Sequence, residues 1–216
     1  MSIEREVGDY LSQTTRLYQP GQHEYYARLA LEQAVEAYKQ GDYGIGAIGV
    51  LATETTVSEF PGRNVMMTGD GVVDHAETRA LIAIRSGKEP SNTYGKQDNE
   101  WTKRLPIGIS MFGTLEPCPM CVITLSSVGA KLSISTIEDG VLVESDGIRI
   151  SGGAATVIGE KGKLQPKVWQ EIQARSGIVF ELLETNDEQL KDLSRRVFED
   201  NRAKIDVDIS NRPARK

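Results

Sequence analysis

Asp74-His75-Ala76-Glu77 and Pro117-Cys118-Pro119-Met120-Cys121, with 43 positions from His75 to Cys118, are the two stretches that decide how this chain is read. Together they offer one imidazole, two thiols and one carboxylate. Zinc is borderline soft and takes imidazole and thiolate well. Three such ligands with a fourth position open to water make the inventory of a catalytic zinc centre, whereas structural sites close with four protein ligands. Cys118 and Cys121 are three apart, so on one helix they point to the same side. A helix start directly after a strand puts both thiols near free N–H groups and the positive end of the helix dipole, which lower a thiol's pKa. Pro117 and Pro119 suit that position, where a missing N–H is not missed. His75 lies just before a second helix start. Glu77, two residues on, is close enough to share the cavity while pointing away from the metal. The expected ligands are His75, Cys118 and Cys121, with Glu77 left free.

Outward from these stretches the chain alternates between helix and strand patterns. Upstream, Gln19-Pro20-Gly21 is a turn signal. Gln22 to Gln40 follows with Tyr26, Leu29, Ala30 and Ala37 at helical spacing and Gly41 where a cap belongs. Tyr43 to Thr53 reads as a strand whose interleaved glycines point to the close approach of another backbone or a ligand. Thr55 to Arg63 reads as its hairpin partner, and Asn64 to Asp74 as a loop. Glu77 to Arg85 is helical. Lys88 to Arg104 has no periodicity and reads as a surface loop. Leu105 to Phe112 is a strand, Cys118 to Val128 a helix, and Lys131 to Ile137 a strand. Asp139 to Leu164 reads as an irregular excursion or short hairpin. Pro166 opens a helix, Ile178 to Leu183 is a strand, and Asp187 caps a last helix through about Arg202. The order predicts an α/β fold, a three-layer α-β-α sandwich around a central mixed five-stranded sheet. Residues 1–21 read as an N-terminal extension, 22–185 as the core domain with an insertion at 138–165, and 186–216 as a C-terminal helix and mobile tail.

Composition narrows the function classes. The chain of 216 residues is long enough to bury a core without disulfides. Its two cysteines stand as C-x-x-C, which in an intracellular chain favours metal binding or redox chemistry over a structural disulfide. No apolar run approaches the ~20 residues of a membrane span. Met1 to Tyr10 lacks the apolar core of a secretory signal, so the expectation is cytoplasmic. The net charge of −6 favours a small substrate over nucleic acid, whose partners carry a positive excess.

His75-Ala76-Glu77 with Thr114-Leu115-Glu116-Pro117-Cys118-Pro119-Met120-Cys121 follows the H-x-E…P-C-x-x-C signature of zinc nucleobase deaminases. At these residues the chain resembles the cytidine-deaminase-like superfamily, within it the branch of tRNA adenosine deaminases and guanine deaminases. The match spans about Gln22 to Ile137. The resemblance implies zinc as the cofactor, His75, Cys118 and Cys121 as its ligands, and Glu77 as proton shuttle. It places Asn64 where that branch contacts the base, and the backbone of Ala76 and of Leu115, Glu116 and Pro117 along the pocket. It also implies a homodimer. The usual Asp-Pro-Thr-like lead into the first motif is replaced by Gly71-Val72-Val73-Asp74. The stretches 88–104 and 139–173 exceed the family's minimal core. These departures bear on substrate, not on chemistry. The expected reaction is hydrolytic removal of an exocyclic amino group, as ammonia, from a nucleobase, nucleoside or related aminated heterocycle, with Glu77 moving the protons.

Each motif residue also has a plainer reading. C-x-x-C alone fits a redox pair; H-A-E upstream and E-P-C-P-M-C turn the balance toward metal. Asparagine in a glycine-rich loop often serves the turn, and Glu116 caps a helix as readily as it meets a substrate. Tyr94, Trp101 and Trp169 are candidates to stack a base but equally core residues. Arg195 to Lys204 offers phosphate contacts, yet interleaved Glu199 and Asp200 favour a solvated helix face. Two rival functions therefore stand beside the first: a tRNA-specific adenosine deaminase, and a catalytically silent zinc-stabilised partner subunit, against which the intact Glu77 argues.

Overall fold

Thr53, Glu54 and Thr55 reverse the chain between the two strands at the centre of the protein. Thr53 Oγ1 accepts the N–H of Thr55 at 3.2 Å and of Thr56 at 2.9 Å, and Thr53 N–H donates to Thr56 O at 2.8 Å. The strands are β1 (Gly46–Ala52) and β2 (Thr56–Arg63), antiparallel with Gly46 opposite Arg63 and Ala52 opposite Val57. This is a computed structural model; it describes residues 1–69, 74–95, 108–115, 117–118, 120–121, 124, 132–136, 143–145, 148–150, 179–182 and 185–210.

Around β1 and β2 stand β3 (Asn92–Gly95), β4 (Gly108–Gly113), β5 (Leu132–Thr136) and β8 (Val179–Leu182), in the order β3-β2-β1-β4-β5-β8. The pairs from β3 to β4 are antiparallel, while β4 with β5 and β5 with β8 are parallel. The sheet has six strands, not the expected five. The addition is β3, which lies in the stretch 88–104 read as a loop. It is four residues long and largely exposed, so neither periodicity nor an apolar face announced it. A separate hairpin of β6 (Val143–Ser145) and β7 (Ile148–Ile150) occupies the insertion.

Helices cover both faces. Side chains alternate along β1, so even and odd positions face opposite ways. Ile48, Val50 and Ala52 join Val57 and Phe112 beneath Tyr26 and Ala30 of α2 (His23–Lys39). The other face packs on α3 (Ala76–Arg85). The glycines mark contacts too close for a side chain. A Cβ on Gly46 would stand 2.1 Å from Ala30 O, and one on Gly62 2.1 Å from Ala76 O. The close approach expected at the β1 glycines is thus that of a helix backbone at Gly46.

The far side of α2 carries a second apolar cluster. Ala27, Leu31, Ala34 and Val35 meet Ile3, Val7 and Tyr10 of α1 (Ile3–Thr14) and Leu190, Leu193 and Val197 of α4 (Glu188–Ser210). The stretch 1–21, read as an N-terminal extension, therefore contains a helix that packs in the core. Asp187 joins the layers: its carboxylate accepts Tyr10 OH at 2.7 Å, Tyr18 OH at 2.6 Å and Leu190 N–H at 2.9 Å, the last as the expected N-cap. The last helix runs to Ser210, past the Arg202 expected for its end. The helix expected from Pro166 lies outside the described residues. No described helix is long and apolar enough to cross a membrane.

Candidate metal centre

Two helix starts face each other at one end of the sheet. The first belongs to α3, whose N-cap is His75, with extended backbone and no side-chain capping bond, so its imidazole is free to serve elsewhere. The second follows β4. Thr114, fully buried, donates its N–H to Gly46 O at 3.0 Å and accepts Gly46 N–H on Oγ1 at 3.1 Å. That reciprocal pair locks the turn out of β4 to β1 just ahead of Leu115, Pro117 and Cys118. Of the helix expected over 118–128, Met120, Cys121 and Thr124 are helical and Cys118 precedes them; the others lie outside the described residues.

The sequence motif and the geometry agree on three donors. His75 Nδ1 is 3.5 Å from Cys118 Sγ and 3.4 Å from Cys121 Sγ, and the two sulfurs are 3.5 Å apart. A disulfide needs about 2.05 Å, and both thiols are free. Zn–S bonds of ~2.3 Å and Zn–N bonds of ~2.0–2.1 Å at tetrahedral angles place donors about 3.5–3.8 Å apart. The triangle fits a zinc ion nearly without adjustment. Among the described residues it is the group of three that can hold a metal, so the arrangement has room for a fourth, non-protein ligand. The donor set is consistent with Zn²⁺.

The electrostatics point the same way. The hydrogen bond with Cys121, and His75 beside it, hold Cys118 down to about 4 despite burial. Cys121 is pushed up by its hydrogen bond with Cys118 and by burial. Burial pulls His75 down, but the adjacent Cys118 outweighs it and the net shift is upward. The opposite shifts of the two thiols are those of a coupled pair, and a cation bound there displaces thiol protons to gain both sulfurs. Burial pushes the Glu77 carboxyl up. It is 3 % exposed, with Oε2 3.5 Å from Cys121 Sγ.

The remaining expected residues lie in different places. Ala76, Leu115 and Pro117 are buried around the donors. Asn64 is 1 % exposed, and its Oδ1 accepts Met66 N–H at 3.1 Å, the turn-forming bond of the plainer reading. Its Nδ2 is buried with no hydrogen-bond partner among the described residues. The loop reaches the centre through Val65, whose N–H donates to Asp74 O at 3.0 Å, next to His75. Glu116, Trp101 and Trp169 lie outside the described residues. Tyr94 is committed to the sheet edge, where its hydroxyl meets that of Tyr26. Arg195 pairs with Asp192 and Glu199, and Arg196 with Glu6 and Asp192, so these two arginines face carboxylates. Sequence reading missed Thr78, buried with Oγ1 3.9 Å from Cys121 Sγ, and Asp42, whose bonds reach loop residues too distant in sequence to be read from spacing.

Comparison with known proteins gives the family. A family model described as the cytidine and deoxycytidylate deaminase zinc-binding region matches residues 20–136, more than half of the chain. Among solved structures, the protein NE0047 in complex with 2,6-diaminopurine covers 90% of this chain and 89% of its own at 16% identity, with a TM-score of 0.53. Guanine deaminase from Bacillus subtilis covers 90% of this chain and 98% of its own at 17% identity, with a TM-score of 0.40. A structure from work on A-to-I editing by tRNA deaminases at the wobble position covers 52% of this chain and 75% of its own at 27% identity, with a TM-score of 0.38. No curated protein matches significantly in sequence.

Proposed function

The chain belongs to the cytidine and deoxycytidylate deaminase family through its zinc-binding region, and from that premise we propose that it hydrolytically deaminates a free nucleobase, nucleoside or related small aminated heterocycle. The observation that carries the reading is a carboxylate left over. His75, Cys118 and Cys121 form a complete three-donor set, and Glu77 is buried beside it with no place in it. A structural zinc site has no use for such a group.

His75, Cys118 and Cys121 would hold the ion; zinc supplies Lewis acidity and brings the pKa of a water down to about 7. Glu77 takes a proton from the attacking water and returns it to the departing nitrogen. Overall, water adds oxygen at the ring carbon, the exocyclic C–N bond breaks, and ammonia leaves with the ring oxo product. Burial suits Glu77 to this, since a raised carboxyl takes up the water's proton more readily than an ordinary carboxylate does. The Asn64 Nδ2 donates to a ring carbonyl or ring nitrogen, and the backbone at Ala76, Leu115 and Pro117 shapes the pocket.

The small substrate is supported by the net charge of −6 and by arginines occupied with carboxylates. The fold accommodates this ligand class, since NE0047 shares it and was solved with 2,6-diaminopurine. The test is ammonia release by zinc-loaded protein from guanine, cytosine, adenosine and analogues. Release from one or more is expected, and silence across the panel overturns the reading. Salt-sensitive tRNA binding would transfer it to anticodon editing. We further take the active form to be a homodimer, which mass measurement in solution tests.

A further inference from the structure

Asp42 is fully buried, and its bonds run in three directions. Its backbone is set by the end of α2, a Schellman motif in which Gly41 (φ 84°) donates to Tyr38 O at 3.0 Å and Asp42 N–H donates to Ala37 O at 3.1 Å. Its carbonyl accepts Nδ2 of Asn201, buried on α4. Its side chain reaches the loop after β2. Oδ1 accepts Met67 N–H at 2.6 Å and Thr68 N–H at 3.1 Å, and Oδ2 accepts Thr68 Oγ1. Three donors of one short loop thus converge on one carboxylate, where carboxylate acceptors make the strong class of hydrogen bond.

That loop is the one that presents Asn64. The Asn64 N–H donates to Ile45 O at 3.0 Å, and its Oδ1 is occupied by Met66 N–H. Only the Nδ2 of its side chain remains, buried without a partner among the described residues. Buried donors are normally satisfied, so a donor left over beside a binding centre points to an acceptor that arrives with a ligand. Met66, the residue that fixes the Asn64 amide, is adjacent to Met67, the residue Asp42 grips.

We propose that Asp42 is a positioning residue for substrate recognition: by clamping Met67 and Thr68 it holds the Asn64 amide N–H in place for a ring carbonyl or ring nitrogen. The proposal rests on the deaminase reading of the neighbouring centre. Asp42 acts through Asn64, so the two residues behave as one unit.

The test compares zinc-loaded full-length protein with the variants Asp42→Asn, Asn64→Ala and their combination. The probe is whichever panel substrate releases most ammonia, and the second readout is hydrogen exchange of residues 65–69. Asp42→Asn is expected to keep one zinc per chain, speed exchange in 65–69, and raise KM roughly tenfold with kcat within about threefold. In the Asn64→Ala background it should add nothing further. Unchanged exchange, a full additional loss in the double variant, or a fall in kcat at constant KM overturns the proposal. Should Asp42→Asn not fold, Thr68→Val removes one of the three bonds. A KM rise of a few fold that vanishes in Asn64→Ala then supports the clamp, and no change refutes it. Should wild type release no ammonia from any compound, the deaminase reading fails, while the exchange comparison still decides whether Asp42 holds the loop.

Discussion

Glu77 Oε2 and Cys121 Sγ lie 3.5 Å apart, the carboxylate on the first turn of α3 and the thiol on the helical turn after β4. The carboxylate touches one corner of the donor triangle without belonging to it. Glu77→Gln keeps the shape and removes the proton carrier. Zinc content is expected to stay at one per chain, and kcat to fall by about 10²–10⁴. Metal analysis alongside single-turnover ammonia release checks this. Turnover near the wild-type rate would dismiss Glu77 as the shuttle, and loss of zinc would recast it as a ligand or a structural support.

Removing the metal should unmask the thiols. With zinc bound both sulfurs are committed; without it, Cys118 sits as a thiolate held down to about 4 by Cys121 and His75. Thiolates react where thiols do not. A chelator-treated native sample is therefore expected to react quickly with a disulfide reagent at Cys118 and slowly at the more buried Cys121. The zinc-loaded sample should be protected at both. Chelation should also lower Tm, since an ion present at 1,000 times its Kd adds about 4 kcal/mol of stability. Equal thiol reactivity with and without zinc would argue that the ion binds elsewhere.

Much of the centre was legible because its information is local. The spacings His75 to Glu77 and Cys118 to Cys121 lie within single turns, where residue offset fixes direction. Gly41 and Asp187 were legible for the same reason, as caps defined by their immediate neighbours. The N-terminal helix was not. Its apolar positions Ile3, Val7 and Tyr10 are few, and they matter only because Leu31 and Leu193 lie across from them in the fold. The short strand β3 failed on length and exposure, and it exists because Ser58 and Glu59 already offer an edge to pair with. Asp42 was invisible because a carboxylate after a helix cap carries no sign of which distant amides it will accept.

Glu59 makes stability depend on pH. It is 2 % exposed, and its Oε1 has no hydrogen-bond partner among the described residues. Burial pushes its carboxyl up, and the bonds with Tyr25, Asn92 and Tyr94 offset this only in part. The folded chain therefore holds the Glu59 proton more tightly than the unfolded chain does. Its contribution is fully present below the ordinary carboxylate range and is lost as pH rises through the raised value. Glu59→Gln should be more stable than wild type at about pH 7, with the advantage fading toward about pH 4. Urea unfolding of both proteins across that window measures it. An advantage that grows on acidification would show that Glu59 is ionised and stabilising in the fold.

Gly62 couples the sheet to the centre, and its substitution should damage both. A Cβ there would stand 2.1 Å from Ala76 O, 2.7 Å from Ala80 N and 2.9 Å from Ala80 Cβ. Two of these three are backbone atoms of α3, so no side-chain rotation relieves the clash, and the helix must move away from β2. Ala76 follows His75 directly, so the imidazole moves with it. Gly62→Ala is expected to cost about 1–3 kcal/mol of stability by overpacking and to weaken zinc binding as well. Gly8→Ala is the control: a Cβ at Gly8, inside α1, meets nothing within 4 Å. There the change should stabilise by about 0.5–1 kcal/mol through helix propensity and leave zinc affinity untouched. Urea unfolding and a competition titration against a chromophoric chelator separate the two quantities. If Gly62→Ala loses stability while holding zinc as tightly as wild type, the position of α3 against β2 does not set the position of His75.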